Sequence, residues 1–184
     1  MSKPSWVKTL TQTLKRLQKP DRPLRVAIVG MGHELCGDDA AGIVVVRDLQ
    51  AMVVSHAAKD LLIIDAGPAP ENHTGRLRRF GVDLILLIDA AQMDEAPGAV
   101  CWLAWQDTTG LGGSTHTLPP HILVRYLMAE FGCEVALLGI QPANVVVGAP
   151  LSPTVQQVVD TIVQMLARML FDSYEAVDCR SGEA

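Results

Sequence analysis

The feature that most constrains this chain is a set of short, wholly apolar runs: Val26-Ala27-Ile28-Val29, Leu61-Leu62-Ile63-Ile64 and Leu84-Ile85-Leu86-Leu87-Ile88. Each is closed by a glycine or an aspartate. Runs without polar alternation have no solvent face, and their β-branched content suits strands covered on both sides, as in a parallel sheet clothed by helices. A fourth run extends from Glu134 to Ile140, and segments of helical period lie between the runs. This alternation predicts an α/β fold, a three-layer sandwich with a central, mostly parallel twisted sheet of about five strands flanked by helices.

Helices are legible from spacing and from their ends. Trp6, Leu10, Leu14 and Leu17 repeat at helical spacing, with Lys8, Lys15 and Arg16 elsewhere, so residues 5–18 form an amphipathic helix docked on the domain. Lys19-Pro20-Asp21-Arg22-Pro23 ends it. Residues 99–104 follow Ala96-Pro97-Gly98 too soon after Asp89 for a crossover helix, so this strand can pair antiparallel. Pro119-Pro120 opens a helix that ends near Phe131. Ser152-Pro153 gives the last helix a capping serine with proline at its first position, and Val155, Val158, Val159, Ile162, Val163 and Leu166 supply its apolar face. The organisation expected is a helical extension over 1–22, a single domain over 23–171 and a polar, frayed tail over 172–184.

Composition removes several function classes. Residues 1–25 hold seven of the fifteen Lys and Arg and one of the twenty acids, leaving eight bases against nineteen acids in the remainder. An acidic body with only eight aromatic residues offers nucleic acid neither a basic track nor a stacking platform. No run approaches the ~18 apolar residues of a membrane span. The charged, hydroxyl-rich first residues lack the apolar stretch of a signal peptide, so the expected location is the cytoplasm. Cys36, Cys101, Cys133 and Cys179 show no paired spacing and read as reduced thiols.

Chemistry concentrates where the first strand gives way to a helix, in Gly30-Met31-Gly32-His33-Glu34-Leu35-Cys36-Gly37-Asp38-Asp39-Ala40-Ala41-Gly42. A dinucleotide fingerprint would need a third glycine where Leu35 stands, and a pyrophosphate would meet two carboxylates at the helix start. Asp38 or Asp39 can instead cap the helix or face a cation. In an open α/β sheet, residues beyond the carboxyl ends of the strands converge on one rim. Asp38, Asp39, Asp65, Asp89 and the loop residue His116 are thereby candidates, and carboxylate with imidazole is a fitting donor set for a borderline divalent metal. The residues alone leave the choice between Asp65 and Asp89 open. Arg76, Arg78 and Arg79 are a basic cluster in the acidic body, able to hold an acidic segment or a carboxylate if not simply solvated.

Several separated motifs carry a resemblance. They are Gly30-Met31-Gly32 with Gly37-Asp38-Asp39-Ala40-Ala41-Gly42, Ile64-Asp65-Ala66-Gly67-Pro68-Ala69-Pro70-Glu71-Asn72, Ile88-Asp89-Ala90, Ser114-Thr115-His116-Thr117-Leu118-Pro119, Leu138-Gly139-Ile140-Gln141-Pro142 and Leu151-Ser152-Pro153-Thr154-Val155. From about Arg25 to Leu166 the chain resembles the nickel-iron hydrogenase maturation endopeptidases, especially the branch serving formate-hydrogenlyase-type enzymes. The resemblance implies a hydrolase acting on the nickel-loaded precursor of a hydrogenase large subunit, with nickel presented by that precursor. It implies metal-binding roles for Asp39, Asp89 and His116, and so selects Asp89 over Asp65. Asp38 becomes the neighbouring carboxylate and the first candidate for a helping base, while Asp65 and Gly67 shape the adjoining loop. His33 stands where the family's pattern has Asn and adds an imidazole near the rim. Two other expectations remain open: a nickel-checking chaperone using the same ligands without hydrolysis, and a small-molecule enzyme of the doubly wound class.

Overall fold

The computed structural model describes residues 4–53, 59–103 and 120–178. Five strands, β1 (Val26–Met31), β2 (Leu61–Gly67), β3 (Leu84–Ala90), β4 (Val100–Leu103) and β5 (Glu134–Ile140), form one sheet in the order β2-β1-β3-β5-β4. The first four in that order run parallel, and β4 closes the edge antiparallel to β5, Cys101 opposite Gly139. The helices are α1 (Ser5–Leu17), α2 (Ala41–Val53), α3 (Thr74–Phe80), α4 (Pro120–Phe131) and α5 (Pro153–Asp178). The mostly parallel α/β architecture expected from the apolar runs is the one observed.

Alternation along the strands divides the core into two layers. Val26, Ile28, Leu84, Leu86, Ile88, Leu138 and Ile140 face α1, α2 and α5, meeting Trp6, Leu10, Val45, Leu49, Val159 and Leu166. Ala27, Val29, Ile85, Leu87, Val135 and Leu137 face α3 and α4 through Leu77, Leu123, Val124 and Leu127. All six residues of β1 are buried, as a central parallel strand requires. The N-terminal helix packs into the first of these layers, with Trp6, Val7 and Leu10 buried.

The amino ends of β1, β3 and β5 are fastened by one aspartate. Asp83, in the turn before β3, accepts hydrogen bonds from Lys19 Nζ at 2.7 Å, from both terminal nitrogens of Arg22 at 2.6 Å, and from the Arg25 N–H at 2.9 Å. Burial pushes its carboxyl up, but these partners hold it well below the usual carboxylate range. The segment joining α1 to β1 is thus tied to the end of the sheet opposite the catalytic candidates.

Three local features depart from the sequence reading. The helix expected directly after the first strand is preceded by a 3₁₀ turn, Gly37–Ala40, and no side chain caps it. Helix α3 was not legible as a helix: with seven residues and one buried apolar side chain, Leu77, it carries too little periodicity, and its only clear mark is Gly81, whose left-handed backbone donates to the Leu77 and Arg78 carbonyls. Helix α5 continues to Asp178, into the segment expected to be a polar tail.

Candidate active site

The sheet order reverses between β1 and β3, because the chain leaves β1 for β2 on one side and returns to β3 on the other. Crevices at such a reversal lie beyond the carboxyl ends of the strands. Here β1 ends at Met31 and β3 at Ala90, with Gly30 paired to Ile88. Gly42, in the first turn of α2, sits against both ends: a Cβ there would lie 2.2 Å from the Ile88 carbonyl oxygen and 2.6 Å from that of Met31. This close approach brings the residues just before Gly42 beside those just after Ile88, so Asp39 and Asp89 share one site.

Their electrostatics record that proximity. Burial pushes the Asp89 carboxyl up to about 8, the charge of Asp39 adds to the rise, and a backbone hydrogen bond from Ala90 opposes it. Asp39 is buried, and burial raises its carboxyl too, outweighing the backbone N–H of His33, which donates to its Oδ2 at 2.8 Å, and the charge of the His33 ring. Gly32 makes room for this arrangement, since at φ +129° a Cβ would stand 1.8 Å from the Asp39 carbonyl oxygen. Two carboxylates held together in poor solvent favour either a shared proton or a cation. Oxygen donors of this kind, with an imidazole, suit a borderline divalent ion.

The remaining candidates fall out differently. Asp38 is fully buried and turned away into the protein, where its carboxylate accepts the N–H of Ser152 at 2.6 Å, the Ser152 hydroxyl at 2.9 Å, and the N–H groups of Ala143 and Asn144 at 2.8 and 2.9 Å. Burial would push it up, but these four donors hold it below the usual range. Instead of capping α2, it binds the loop between β5 and α5, with three donors on Oδ2 and the Ser152 N–H on Oδ1. Asp65 accepts Arg47 Nε at 2.7 Å and the Gly67 N–H at 3.3 Å, and Arg47 also reaches Glu34 at 2.9 Å. It thus shapes the loops after β1 and β2. The His33 ring is exposed, its Nδ1 accepting the Leu35 N–H at 3.3 Å. His116 lies outside the described residues. Among the described residues no three His, Cys, Asp or Glu side chains converge.

Two further residues lie at this rim: Gln141, to which the sequence alone assigns no role, and Cys36, whose place two residues before Asp38 allows it either to face the site or to pack the loop. Gln141 is buried, and its Oε1 accepts the N–H groups of Met93 and Glu95 at 2.8 and 3.3 Å, fixing the loop that follows Asp89. Its one advance signal was a polar residue closing an otherwise apolar strand. Cys36, at the start of the 3₁₀ turn, is a half-buried free thiol. In the basic cluster, Arg78 is already paired with Glu130 and stacked 6.0 Å from the centre of the Phe131 ring, so it is spent within the chain.

Fold and site together define an open α/β enzyme with a carboxylate pair at the topological switch point. Comparison with known proteins makes this specific. Residues 43–169 match the family model described as hydrogenase maturation protease. A putative hydrogenase maturation protease of Methanocaldococcus jannaschii is 35% identical over 150 residues, covering 79% of this chain and 88% of the relative. The hydrogenase 3 maturation protease of Escherichia coli K12 is 32% identical over 138 residues, 74% of this chain and 85% of the other. The crystal structure of the [NiFe] hydrogenase maturation protease HycI from Thermococcus kodakarensis superposes with a TM-score of 0.71 at 29% identity, over 79% of this chain and 92% of that one. The chain belongs to the hydrogenase maturation protease family, and it is a hydrolase. Among the described residues no helix is long and apolar enough to cross a membrane.

Proposed function

We propose that this protein removes the C-terminal extension from the nickel-loaded precursor of a nickel-iron hydrogenase large subunit, in the cytoplasm. The observation that carries the reading is the pairing of Asp39 with Asp89 across the β1/β3 switch point, set by the contact of Gly42 with both strand ends.

In this reading Asp39 and Asp89, joined by His116, engage the nickel that the precursor presents, so only a metal-loaded substrate is held in register. Nickel is part of the substrate here. Negative charge that is costly to bury in the free protein finds its partner when the precursor docks. Water adds to the carbonyl carbon of the scissile peptide bond, the C–N bond breaks, and the released amine takes up a proton. Four donors already on the Asp38 carboxylate favour a positioning role for it over that of helping base. It braces the 3₁₀ turn that delivers Asp39 against the loop entering α5.

The test is the intact mass of a nickel-loaded large-subunit precursor before and after incubation with the protein. Loss of a C-terminal peptide supports the reading. A stable complex without mass change favours a nickel-checking chaperone that uses the same carboxylates.

A further inference from the structure

The loop that Asp38 grips carries an unused surface. Val145, Val146 and Val147 are 53, 62 and 75% exposed, and Leu35, in the loop after β1, is 59% exposed. The two are tied together, since the Gly148 N–H donates to the Leu35 carbonyl at 2.7 Å. The valine segment is held in one shape by its own bonds. The Val146 N–H donates to Asn144 Oδ1 at 2.9 Å, and the Ala149 N–H closes a turn onto the Val146 carbonyl at 3.1 Å. Gly148, at φ +82°, takes the third position of that turn. β-Branched residues favour sheet pairing, yet this segment belongs to no strand, and among the described residues the backbone groups of Val145 and Val147 have no hydrogen-bond partner.

This surface is continuous with the site. The Asp38 N–H donates to the Asn144 carbonyl at 2.7 Å and the Gly37 N–H to that of Ala149 at 3.2 Å, so the segment runs beside the 3₁₀ turn that carries Asp39. A polypeptide cleaved near Asp39 must lay the chain flanking its scissile bond across the neighbouring surface. A fixed apolar segment with free backbone donors and acceptors matches an extended chain in two ways: main-chain pairing for affinity, and valine contacts for apolar side chains.

We propose that Val145, Val146 and Val147, with Leu35, form the docking strap for an extended, apolar-bearing segment next to the scissile bond of the precursor. This deepens the proposed function and rests on it. The strap supplies peptide affinity, whereas Asp39 and Asp89 supply the metal check.

The test uses the nickel-loaded precursor with the full-length protein. Replacing Val146→Ser and Val147→Ser together removes exposed apolar surface without touching the core. The expected result is a KM raised by roughly tenfold, with kcat and melting temperature unchanged. An unchanged KM overturns the strap. In parallel, a photoreactive benzoylphenylalanine at position 147 is irradiated with the precursor, and the crosslinked peptide is identified by mass. Attachment to the C-terminal region of the precursor supports the strap. Attachment to a second copy of this chain, or to a distant part of the precursor, overturns it. Crosslinking does not require cleavage, so a precursor that is captured at position 147 but never shortened would sink the peptidase reading and leave the docking inference standing.

Discussion

Asp38 and Ser152, 114 residues apart in the chain, are joined twice: the serine N–H and its hydroxyl both donate to the one carboxylate, at 2.6 and 2.9 Å. The same hydroxyl lies 3.4 Å from the Val155 N–H as the cap of α5, so a single aspartate links the turn before α2 to the start of the last helix. Asp38→Ala would strand three backbone N–H groups, on Ala143, Asn144 and Ser152. It is expected to cost about 3 kcal/mol, roughly 6–12 °C in melting temperature for a domain of this size. A melting temperature equal to the wild type would show that the carboxylate is not the brace described.

The carboxylate pair makes the opposite prediction. Because burial and the charge of Asp39 both disfavour ionised Asp89, Asp89→Asn relieves a cost in the free protein. Its melting temperature should be no lower than wild type while precursor processing is lost. Stability exchanged for function is the pattern expected of an active-site group. A variant that is destabilised and still processes at the normal rate would place Asp89 among structural residues.

Gly42 separates packing from chemistry. A methyl group there would stand 2.2 Å from the Ile88 carbonyl oxygen, and a backbone atom cannot give way as a flexible side chain can. Gly42→Ala should therefore shift α2 away from the strand ends, costing about 2–3 kcal/mol, and lower processing by more than the loss of folded protein explains. Circular dichroism melts set beside initial rates would separate the two effects.

At the far end of the sheet, Asp83 sets an acid limit. Its carboxyl is held below its ordinary value, so its contribution to stability is complete above the unfolded pKa of about 4 and is lost as pH falls toward the folded value. Asp83→Asn should lower the melting temperature near pH 7, with the gap from wild type narrowing as pH drops below about 4. A gap constant across that range would mean that its partners do not depend on its charge.

The fold was legible because buried parallel strands leave uninterrupted apolar runs, and the bounds of β2, β3 and β5 follow directly from them. The short α3 was not, because seven residues with one buried side chain hold no helical period. The gathering of Asp38, Asp39, Asp65 and Asp89 beyond the carboxyl ends of the strands could be read from the sequence, since the switch-point rule depends only on element order, whereas the choice of Asp39 and Asp89 among them came from the family resemblance. The commitment of Asp38 to residues 143–152 could not, because adjacent aspartates look alike until the chain has folded and one of them turns inward. Nor could the exposure of Val145, Val146 and Val147, since three valines in sequence read as core.

The most direct test of the central claim compares the intact mass of one large-subunit precursor, with and without nickel, after incubation with the wild type and with Asp39→Ala. The account expects loss of a C-terminal peptide only from the nickel-loaded precursor and only with the wild type. Equal cleavage of the nickel-free precursor, or cleavage by Asp39→Ala at the wild-type rate, would contradict it.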